Sequence, residues 1–185
     1  MMHTLVLGGA RSGKSRHAEA LAITSGKEVV YLATATASDG EMNARIAHHR
    51  AGRPAHWVTI EEPVALGHQL DRLSSPHRLI LIDCLTLWLN NLLFTGGERY
   101  PEVGEITLPP RFHEQQAALK AALLRCDSEV VMVSNEIGMG LMPMGAISRR
   151  FMDEQGRLNQ AMAALCDRAV FIAAGLPIYL KGAPC

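Results

Sequence analysis

The sequence predicts an α/β fold with a mostly parallel sheet flanked by helices on both faces. Short runs rich in branched aliphatic residues alternate with helical patterns along the whole chain. Several runs are continuously apolar, which is typical of parallel strands covered on both faces. The first run leads into a glycine-rich segment that ends in Gly13-Lys14-Ser15, and a helical pattern follows it. Together these three observations indicate a layered sheet wound by right-handed crossovers.

The predicted strands are short and bounded by turn residues. In chain order they are Thr4–Leu7, Val29–Ala33, Trp57–Ile60, Leu79–Ile82, Val130–Val133, Val170–Ala173 and Ile178–Leu180. The predicted helices are Lys14–Ser25, Glu41–Ala51, Val64–Leu73, Leu85–Phe94, Arg111–Arg125 and Ala146–Cys166. The last helix has the clearest apolar stripe, formed by Ile147, Phe151, Leu158, Met162 and Leu165. No repeat or linker divides the chain, so we expect one domain over residues 1–185.

One segment departs from this alternation. Residues 95–110, TGGERYPEVGEITLPP, are long, acidic and rich in glycine and proline. A loop of this length inside a compact domain is either functional or poorly ordered, and the sequence does not choose between the two.

The composition restricts the class of partner. The chain has 185 residues, and its 18 basic and 18 acidic residues cancel. With no net positive field, we expect neither nucleic acid nor an anionic membrane as a partner. No run reaches the roughly 20 apolar residues of a membrane span, and no signal-peptide pattern begins the sequence. The four cysteines lack metal-site spacing, and three of them are expected to be buried free thiols in a cytoplasmic protein.

The glycine-rich segment after the first strand is a complete G-x-x-x-x-G-K-S motif. Its residues are Gly8, Gly9, Ala10, Arg11, Ser12, Gly13, Lys14 and Ser15. Glycines let the backbone curl so that successive N–H groups point at phosphate oxygens, and the following helix adds its positive end. Lys14 is expected to reach the β- and γ-phosphates, and Ser15 to bind Mg²⁺. The motif predicts a phosphate-binding loop (P-loop) for a nucleoside triphosphate.

Two further strand ends carry polar residues. Asp83 ends the run Leu79–Ile82, at the edge where ligands gather in open α/β sheets, and we interpret it as a second Mg²⁺ group. An acidic helix cap has the same pattern and remains an alternative. Ser134-Asn135-Glu136 also follows a strand, and either belongs to the active edge or caps a plain turn.

The motif alone leaves the reaction open, because a P-loop fixes neither the base nor the acceptor. A small-molecule kinase or nucleotide-driven transferase is one interpretation. A nucleotide-gated accessory protein without transfer activity is another. A longer set of motifs narrows the choice: GGARSGKSRHAE, YLATA, EMNARIAHHRAGRP, LIDCLTLWLNNLL, VSNEIGMGLMP and GRLNQ.

These motifs, in this order, resemble the bifunctional adenosylcobinamide kinase / adenosylcobinamide-phosphate guanylyltransferase family over nearly the whole chain. The resemblance implies a RecA-like P-loop fold, the usual occurrence of oligomers, and two reactions. Adenosylcobinamide is phosphorylated on its aminopropanol hydroxyl with ATP or GTP. GMP is then transferred from GTP to adenosylcobinamide phosphate through a covalent GMP–histidine.

The resemblance also implies site residues, carried over position by position. Nucleotide contacts fall on residues 8–15, on Ala33, Thr34 and Ala35, on Arg50, Ala51, Gly52 and Arg53, on Glu61 or its neighbour Glu62, and on Asp83. The histidine that receives GMP is His49. Two departures concern the acceptor side, since Met144-Gly145 and Met152 stand where polar residues are common in the family. Asp83 replaces the Glu of some members and keeps the carboxylate.

The chemistry of residues 45–54, RIAHHRAGRP, agrees with a nucleophilic histidine. Imidazole is neutral near pH 7 and forms a labile N–P bond, and the neighbouring Arg45, Arg50 and Arg53 disfavour its charged form. A metal site is disfavoured because adjacent helical histidines point about 100° apart. The helical period aims His49 inward, which fits catalysis or a structural histidine equally; only the resemblance favours catalysis. His48 has no assigned role.

Overall fold

The computed structural model describes residues 1–35 and 54–183. Within these ranges the strands are β1 (His3–Gly8), β2 (Glu28–Ala33), β3 (Val58–Glu61), β4 (Arg78–Asp83), β5 (Glu129–Asn135), β6 (Arg168–Ala173) and β7 (Leu176–Lys181). The helices are α1 (Lys14–Thr24), α2 (Leu66–Leu73), α3 (Leu85–Phe94), α4 (Pro110–Arg125) and α5 (Ala146–Leu165).

The strands form one sheet in the order β3-β2-β4-β5-β1-β6-β7. Every neighbouring pair is parallel except β6 with β7, which is antiparallel. The carboxyl ends of six strands therefore meet at one edge. In register there, Glu61 pairs with Ala33, Ala33 with Asp83, and Gly8 with Asn135. We call this the carboxyl edge, and the opposite one the amino edge.

Alternate residues of each strand enter two separate apolar cores. Leu5 and Leu7 of β1 pack on the face covered by α2, α3, α4 and α5, whereas Val6 packs on the face covered by α1. This alternation follows from the two-residue period of a strand. It confirms the predicted arrangement of a mostly parallel sheet between two helical layers.

The predicted strands are all confirmed, and so are the helices that fall within the described ranges. The observed bounds of α3 coincide with the prediction. The predicted helix Glu41–Ala51 lies outside the described residues. On α5, Leu158 and Met162 are fully buried, while Ile147, Phe151 and Leu165 are partly buried against the core. The same helix also buries Glu154, Gln155 and Asn159, which the apolar period did not predict.

The acidic segment between α3 and α4 is packed against the fold. Ile106 and Leu108 are buried, and the Tyr100 hydroxyl donates to the Leu93 carbonyl at 2.7 Å. The backbone N–H of Ala146, at the start of α5, donates to the Glu102 carbonyl at 3.0 Å. These contacts argue against the poorly ordered alternative for residues 95–110.

The structure bears on two further features considered in the sequence, the state of the cysteines and the presence of membrane-spanning segments. Cys84, Cys126 and Cys166 are buried free thiols. Burial raises the pKa of the Cys166 thiol to about 12. Among the described residues, no helix combines the length and hydropathy needed to cross a bilayer.

Candidate functional site

The glycine-rich motif forms a tight turn between β1 and α1. Arg11 and Gly13 both have left-handed backbone conformations, with φ of 54° and 96°. A backbone that changes hand between neighbouring residues turns successive N–H groups toward one concave side, which is the geometry that binds phosphate. The Lys14 ammonium contacts the Gly9 carbonyl at 3.1 Å, so its charge lies against the loop itself.

Close packing behind the loop explains why two of its positions are occupied by glycine. A Cβ on Gly8 would lie 2.5 Å from Ser12 Oγ and 2.7 Å from the Ile172 carbonyl oxygen. A Cβ on Gly13 would lie 3.3 Å from the Gly175 Cα, and the Gly175 N–H donates to the Ser12 carbonyl at 2.9 Å. The turn between β6 and β7 therefore supports the P-loop from behind.

The Ser12 hydroxyl is buried and has no hydrogen-bond partner among the described residues. Leaving a buried polar group unpaired costs about 1–3 kcal/mol. A phosphate oxygen bound in the loop would supply an acceptor for this hydroxyl. The loop residues therefore fit a nucleotide phosphate.

Asp83 ends β4 at the carboxyl edge, and β5 lies between β4 and the P-loop strand β1. The register places Asp83 opposite Val133, and Val133 opposite Val6, two residues before Gly8. At the usual strand spacing and rise, Asp83 and Gly8 are therefore about 12 Å apart. The Tyr31 hydroxyl donates to Asp83 Oδ2. The helix-cap alternative is wrong, because the N-cap of α3 is Cys84 and it has no side-chain cap. Asp83 is thus held at the edge by a neighbouring strand.

Thr34 joins the end of β2 to the residue after Asp83. Its hydroxyl donates to the Cys84 carbonyl at 2.8 Å and accepts from the Cys84 N–H at 2.7 Å. The Thr34 N–H donates to the Asp83 carbonyl at 3.0 Å. Burial raises the pKa of the Cys84 thiol, and the charge of Asp83 adds to that effect. Ala33, Thr34 and Ala35 therefore lie beside Asp83, with the Thr34 side chain already engaged in the protein.

The structure separates the two candidate glutamates. Glu62 accepts hydrogen bonds from the N–H groups of Val64 and Ala65 at 3.0 and 2.7 Å, and from Gln69 Nε2 at 3.1 Å. Burial acts to raise the Glu62 pKa, but these bonds together with His68 outweigh it, so the pKa is lowered. Glu62 holds the start of α2, whereas Glu61 is exposed at the end of edge strand β3.

The end of β5 lies between Asp83 and the P-loop. The Glu136 N–H donates to the Gly8 carbonyl at 3.1 Å, and Glu136 Oε1 accepts from the Gly138 N–H at 2.7 Å. The Asn135 N–H donates to Thr86 Oγ1 at 2.9 Å. The segment therefore lies at the carboxyl edge, and Glu136 also caps its own turn, as the alternative predicted. A part in the chemistry of the site stays a prediction.

A buried polar cluster on α5 supports this strand end, and the sequence reasoning missed it. Asn159 Oδ1 accepts from Ser134 Oγ at 2.7 Å, and Asn159 Nδ2 donates to the Asn135 carbonyl at 3.0 Å. Gln155 Nε2 donates to Ser134 Oγ and to Asn159 Oδ1, both at 2.9 Å. One available signal was that Gln155, Asn159 and Met162 are spaced to share one helical face.

The predicted site falls into two parts. The P-loop Gly8–Ser15, the stretch Ala33–Ala35, Glu61 and Asp83 all lie along the carboxyl edge. The remaining predicted site residues lie outside the described residues: His49, Arg50, Ala51, Gly52 and Arg53. His48 and Arg45 lie there too.

Comparison with known proteins identifies the family to which the chain belongs. The model of the cobinamide kinase / cobinamide phosphate guanyltransferase family matches residues 4–180. The chain belongs to this family. It is 50% identical to the bifunctional adenosylcobalamin biosynthesis protein CobP of Pseudomonas aeruginosa, over 99% of both chains. It is 44% identical to the bifunctional adenosylcobalamin biosynthesis protein CobU of Salmonella typhimurium, over 97% of this chain and 100% of that protein.

Solved structures support the fold independently of sequence. The flagellar accessory protein FlaH of Methanocaldococcus jannaschii matches with a TM-score of 0.51 and 12% identity, over 98% of this chain and 78% of its own. An ATPase of a bacterial type III secretion system matches with a TM-score of 0.54 and 13% identity, over 96% of this chain and 56% of its own. At such identities the likeness concerns the fold alone. It agrees with the RecA-like P-loop architecture.

Proposed function

We propose that this chain catalyses two successive transfers in cobalamin biosynthesis, within one domain over residues 1–185. The first transfer phosphorylates adenosylcobinamide with ATP or GTP. The second moves GMP from GTP to adenosylcobinamide phosphate and releases pyrophosphate. The observation that carries the proposal is the family match over residues 4–180 together with a complete P-loop and Asp83 at the same edge of the sheet.

In the kinase step, the side-arm hydroxyl oxygen of adenosylcobinamide attacks the γ-phosphorus of the nucleotide. The bond between that phosphorus and the β,γ-bridging oxygen breaks, the hydroxyl proton is released, and a nucleoside diphosphate leaves. The N–H groups of the P-loop and the Lys14 ammonium neutralise negative charge on the transferred group. Arg11, whose backbone is left-handed, helps to set the direction of those N–H groups.

Ser15 and Asp83 would hold Mg²⁺. The described residues contain no group of three His, Cys, Asp or Glu side chains able to bind a metal on their own. Mg²⁺ usually takes only one or two protein ligands together with phosphate oxygens and water, so two side chains are enough for the proposed role. When bound, Mg²⁺ reduces the negative charge of the phosphates. Asp83 is oriented for this role by the Tyr31 hydroxyl.

In the guanylyl step, a neutral ring nitrogen of His49 attacks the α-phosphorus of GTP, forming an N–P bond as the bond to pyrophosphate breaks. A phosphate oxygen of adenosylcobinamide phosphate then attacks the same phosphorus, and the N–P bond breaks to regenerate the imidazole. Arg50 and Arg53 neutralise the phosphates, and Ala51 and Gly52 lie between them in the proposed contact stretch. Ala33, Thr34, Ala35 and Glu61 complete the proposed nucleotide contacts.

The wider setting follows from the same proposal. We expect the enzyme to work in the cytoplasm, where its nucleotide substrates are available, and to assemble as a homo-oligomer. Neither nucleic acid nor a membrane takes part, because the formal net charge is zero.

Labelled nucleotide tests the proposal. Purified protein is incubated with adenosylcobinamide, Mg²⁺ and GTP carrying label on either the γ- or the α-phosphate. The expected products are labelled adenosylcobinamide phosphate from the γ-label, and labelled adenosyl-GDP-cobinamide from the α-label. Transfer of the γ-label alone would reduce the function to a kinase. Transfer of neither label would indicate a nucleotide-gated accessory protein.

A further inference from the structure

The segment between β5 and α5 exposes a run of large apolar side chains. Met139, Leu141, Met142 and Met144 are 79, 98, 61 and 93% exposed. We call residues 139–144 the methionine segment. Single exposed apolar residues are ordinary on a protein surface, but a contiguous apolar patch marks a site of binding.

Hydrogen bonds hold the backbone at both ends of the methionine segment. At its start, the Glu136 N–H donates to the Gly8 carbonyl and the Gly138 N–H donates to Glu136 Oε1. At its end, Arg149 Nη1 donates to the Pro143 carbonyl at 3.3 Å and to the Met144 carbonyl. The exposed side chains therefore belong to an anchored loop, and their exposure does not result from a fraying chain end.

The position of the segment restricts what binds to it. Glu136, three residues before the methionine segment, donates to the carbonyl of Gly8, the first residue of the P-loop motif. The segment therefore leaves the sheet from the strand next to the P-loop strand. At its other end, Ala146 donates to Glu102 of the packed loop between α3 and α4. The segment thus borders the carboxyl edge on the side of β5, next to the site of phosphoryl transfer.

We propose that the methionine segment binds the apolar rim of the corrin ring of adenosylcobinamide, while the side-arm hydroxyl reaches the P-loop. This inference rests on the proposed function, because that function supplies the acceptor. A corrin ring is large, and its periphery carries methyl groups between amide side chains. The methyl groups can pack on an open apolar surface while the amide side chains stay in water. Methionine suits such a surface because its thioether is flexible and polarizable.

The test uses one substituted pair and one matched control. Leu141→Ser with Met144→Ser removes the apolar contact. Leu124→Ser makes the same chemical change at a residue that is 76% exposed near the amino edge, where it lines a cavity with His3. Equilibrium dialysis measures Kd for adenosylcobinamide by its visible absorbance, and separately Kd for a non-hydrolysable GTP analogue. Sedimentation gives the subunit number of each protein.

The double variant is expected to bind adenosylcobinamide at least tenfold more weakly, with an unchanged GTP-analogue Kd and subunit number. The Leu124→Ser control is expected to match the wild type in all three measurements. An unchanged adenosylcobinamide Kd in the double variant would overturn the inference. A change in subunit number would also overturn it, since the segment would then bind a second copy of the chain. If the wild type itself neither bound nor phosphorylated adenosylcobinamide, the proposed function would fail instead.

Discussion

The two edges of the sheet are built from the same strands but differ in how their polar groups are hydrogen-bonded. At the amino edge, two pairs of residues bond to each other reciprocally, and His3 Nδ1 is buried without a partner among the described residues. The His3 N–H donates to Asp167 Oδ2 at 2.7 Å, and the Asp167 N–H donates to the His3 carbonyl at 2.9 Å. Ser128 Oγ accepts from the Ser75 N–H at 2.9 Å and donates to the Ser75 carbonyl at 3.0 Å. These pairs tie the loops of the amino edge to the strands.

The carboxyl edge combines a reciprocal pair with groups that suit a ligand. Thr34 and Cys84 bond to each other as the amino-edge pairs do. Beside them, however, the P-loop turns its N–H groups to one side, and Ser12 Oγ is buried without a partner among the described residues. From this comparison we expect substitutions at the carboxyl edge to affect catalysis, and substitutions at the amino edge to affect stability alone. Matched substitutions at the two edges can therefore test this expectation.

The largest contrast is expected between two lysines. Lys14→Ala removes the P-loop ammonium and is expected to lower kinase activity on the order of 10²–10³-fold, because the charge on the transferred phosphoryl group loses a fixed partner. Lys27→Ala removes an amino-edge ion pair with Glu129, 3.3 Å apart, and is expected to leave activity within about twofold. Steady-state kinetics on both variants measure the contrast. Equal losses would contradict the separation by edge.

The next contrast concerns two aspartates. Asp83→Asn keeps an acceptor for the Tyr31 hydroxyl but removes the charge, so we expect kinase activity to fall about 10²-fold and the Mg²⁺ requirement to rise. Asp167→Asn keeps an acceptor for the His3 N–H at the amino edge and should leave the Mg²⁺ titration unchanged. A Mg²⁺ titration of the kinase rate compares them. An unaltered Mg²⁺ requirement in Asp83→Asn would remove Asp83 from the metal site.

Two buried hydrogen-bonding residues give a subtler contrast. Asn159→Ala removes the hydrogen bonds that Asn159 makes with Ser134 and Asn135. Ser128→Ala removes the hydrogen bond that Ser128 accepts from Ser75. Each is expected to cost about 1–3 kcal/mol of unfolding free energy, because buried polar groups lose their partners. Only Asn159→Ala should also lower kcat several-fold, since it loosens the strand end beside the P-loop. Urea denaturation and kinetics on both proteins would separate the two effects.

The smallest expected effect is a pH dependence at Glu62. Its folded pKa is lowered, so the stabilisation that it provides is complete above the unfolded pKa of about 4.3 and is lost as pH falls through the folded pKa. The difference in Tm between wild type and Glu62→Gln should therefore be largest near pH 7 and shrink toward pH 3. Glu105→Gln, at an exposed loop residue, is the control for the loss of one carboxylate. A constant difference across this range would contradict a stabilising role for the hydrogen bonds from the Val64 and Ala65 N–H groups to Glu62.

The elements whose signals are local were predictable from the sequence. The P-loop stands in eight consecutive residues, and the strands are continuous apolar runs between turns. The bonds of Asn159 were not predictable, because its partner Ser134 lies 25 residues away on another element. The roles of Glu61 and Glu62 could not be separated either. Adjacent glutamates look alike in a sequence, and only the path of the chain into α2 brings Glu62 to the N–H groups of Val64 and Ala65.

One measurement tests the two-reaction assignment most directly. The protein is incubated with α-labelled GTP and Mg²⁺, denatured, and examined for retained label. We expect label that is released by acid and survives alkali, as a phosphoramidate on histidine does, and that is absent from His49→Ala but present in His48→Ala. Loss of label in His48→Ala alone would move the nucleophile to the neighbouring residue. If the wild type retained no label at all, the covalent GMP–histidine step would be contradicted.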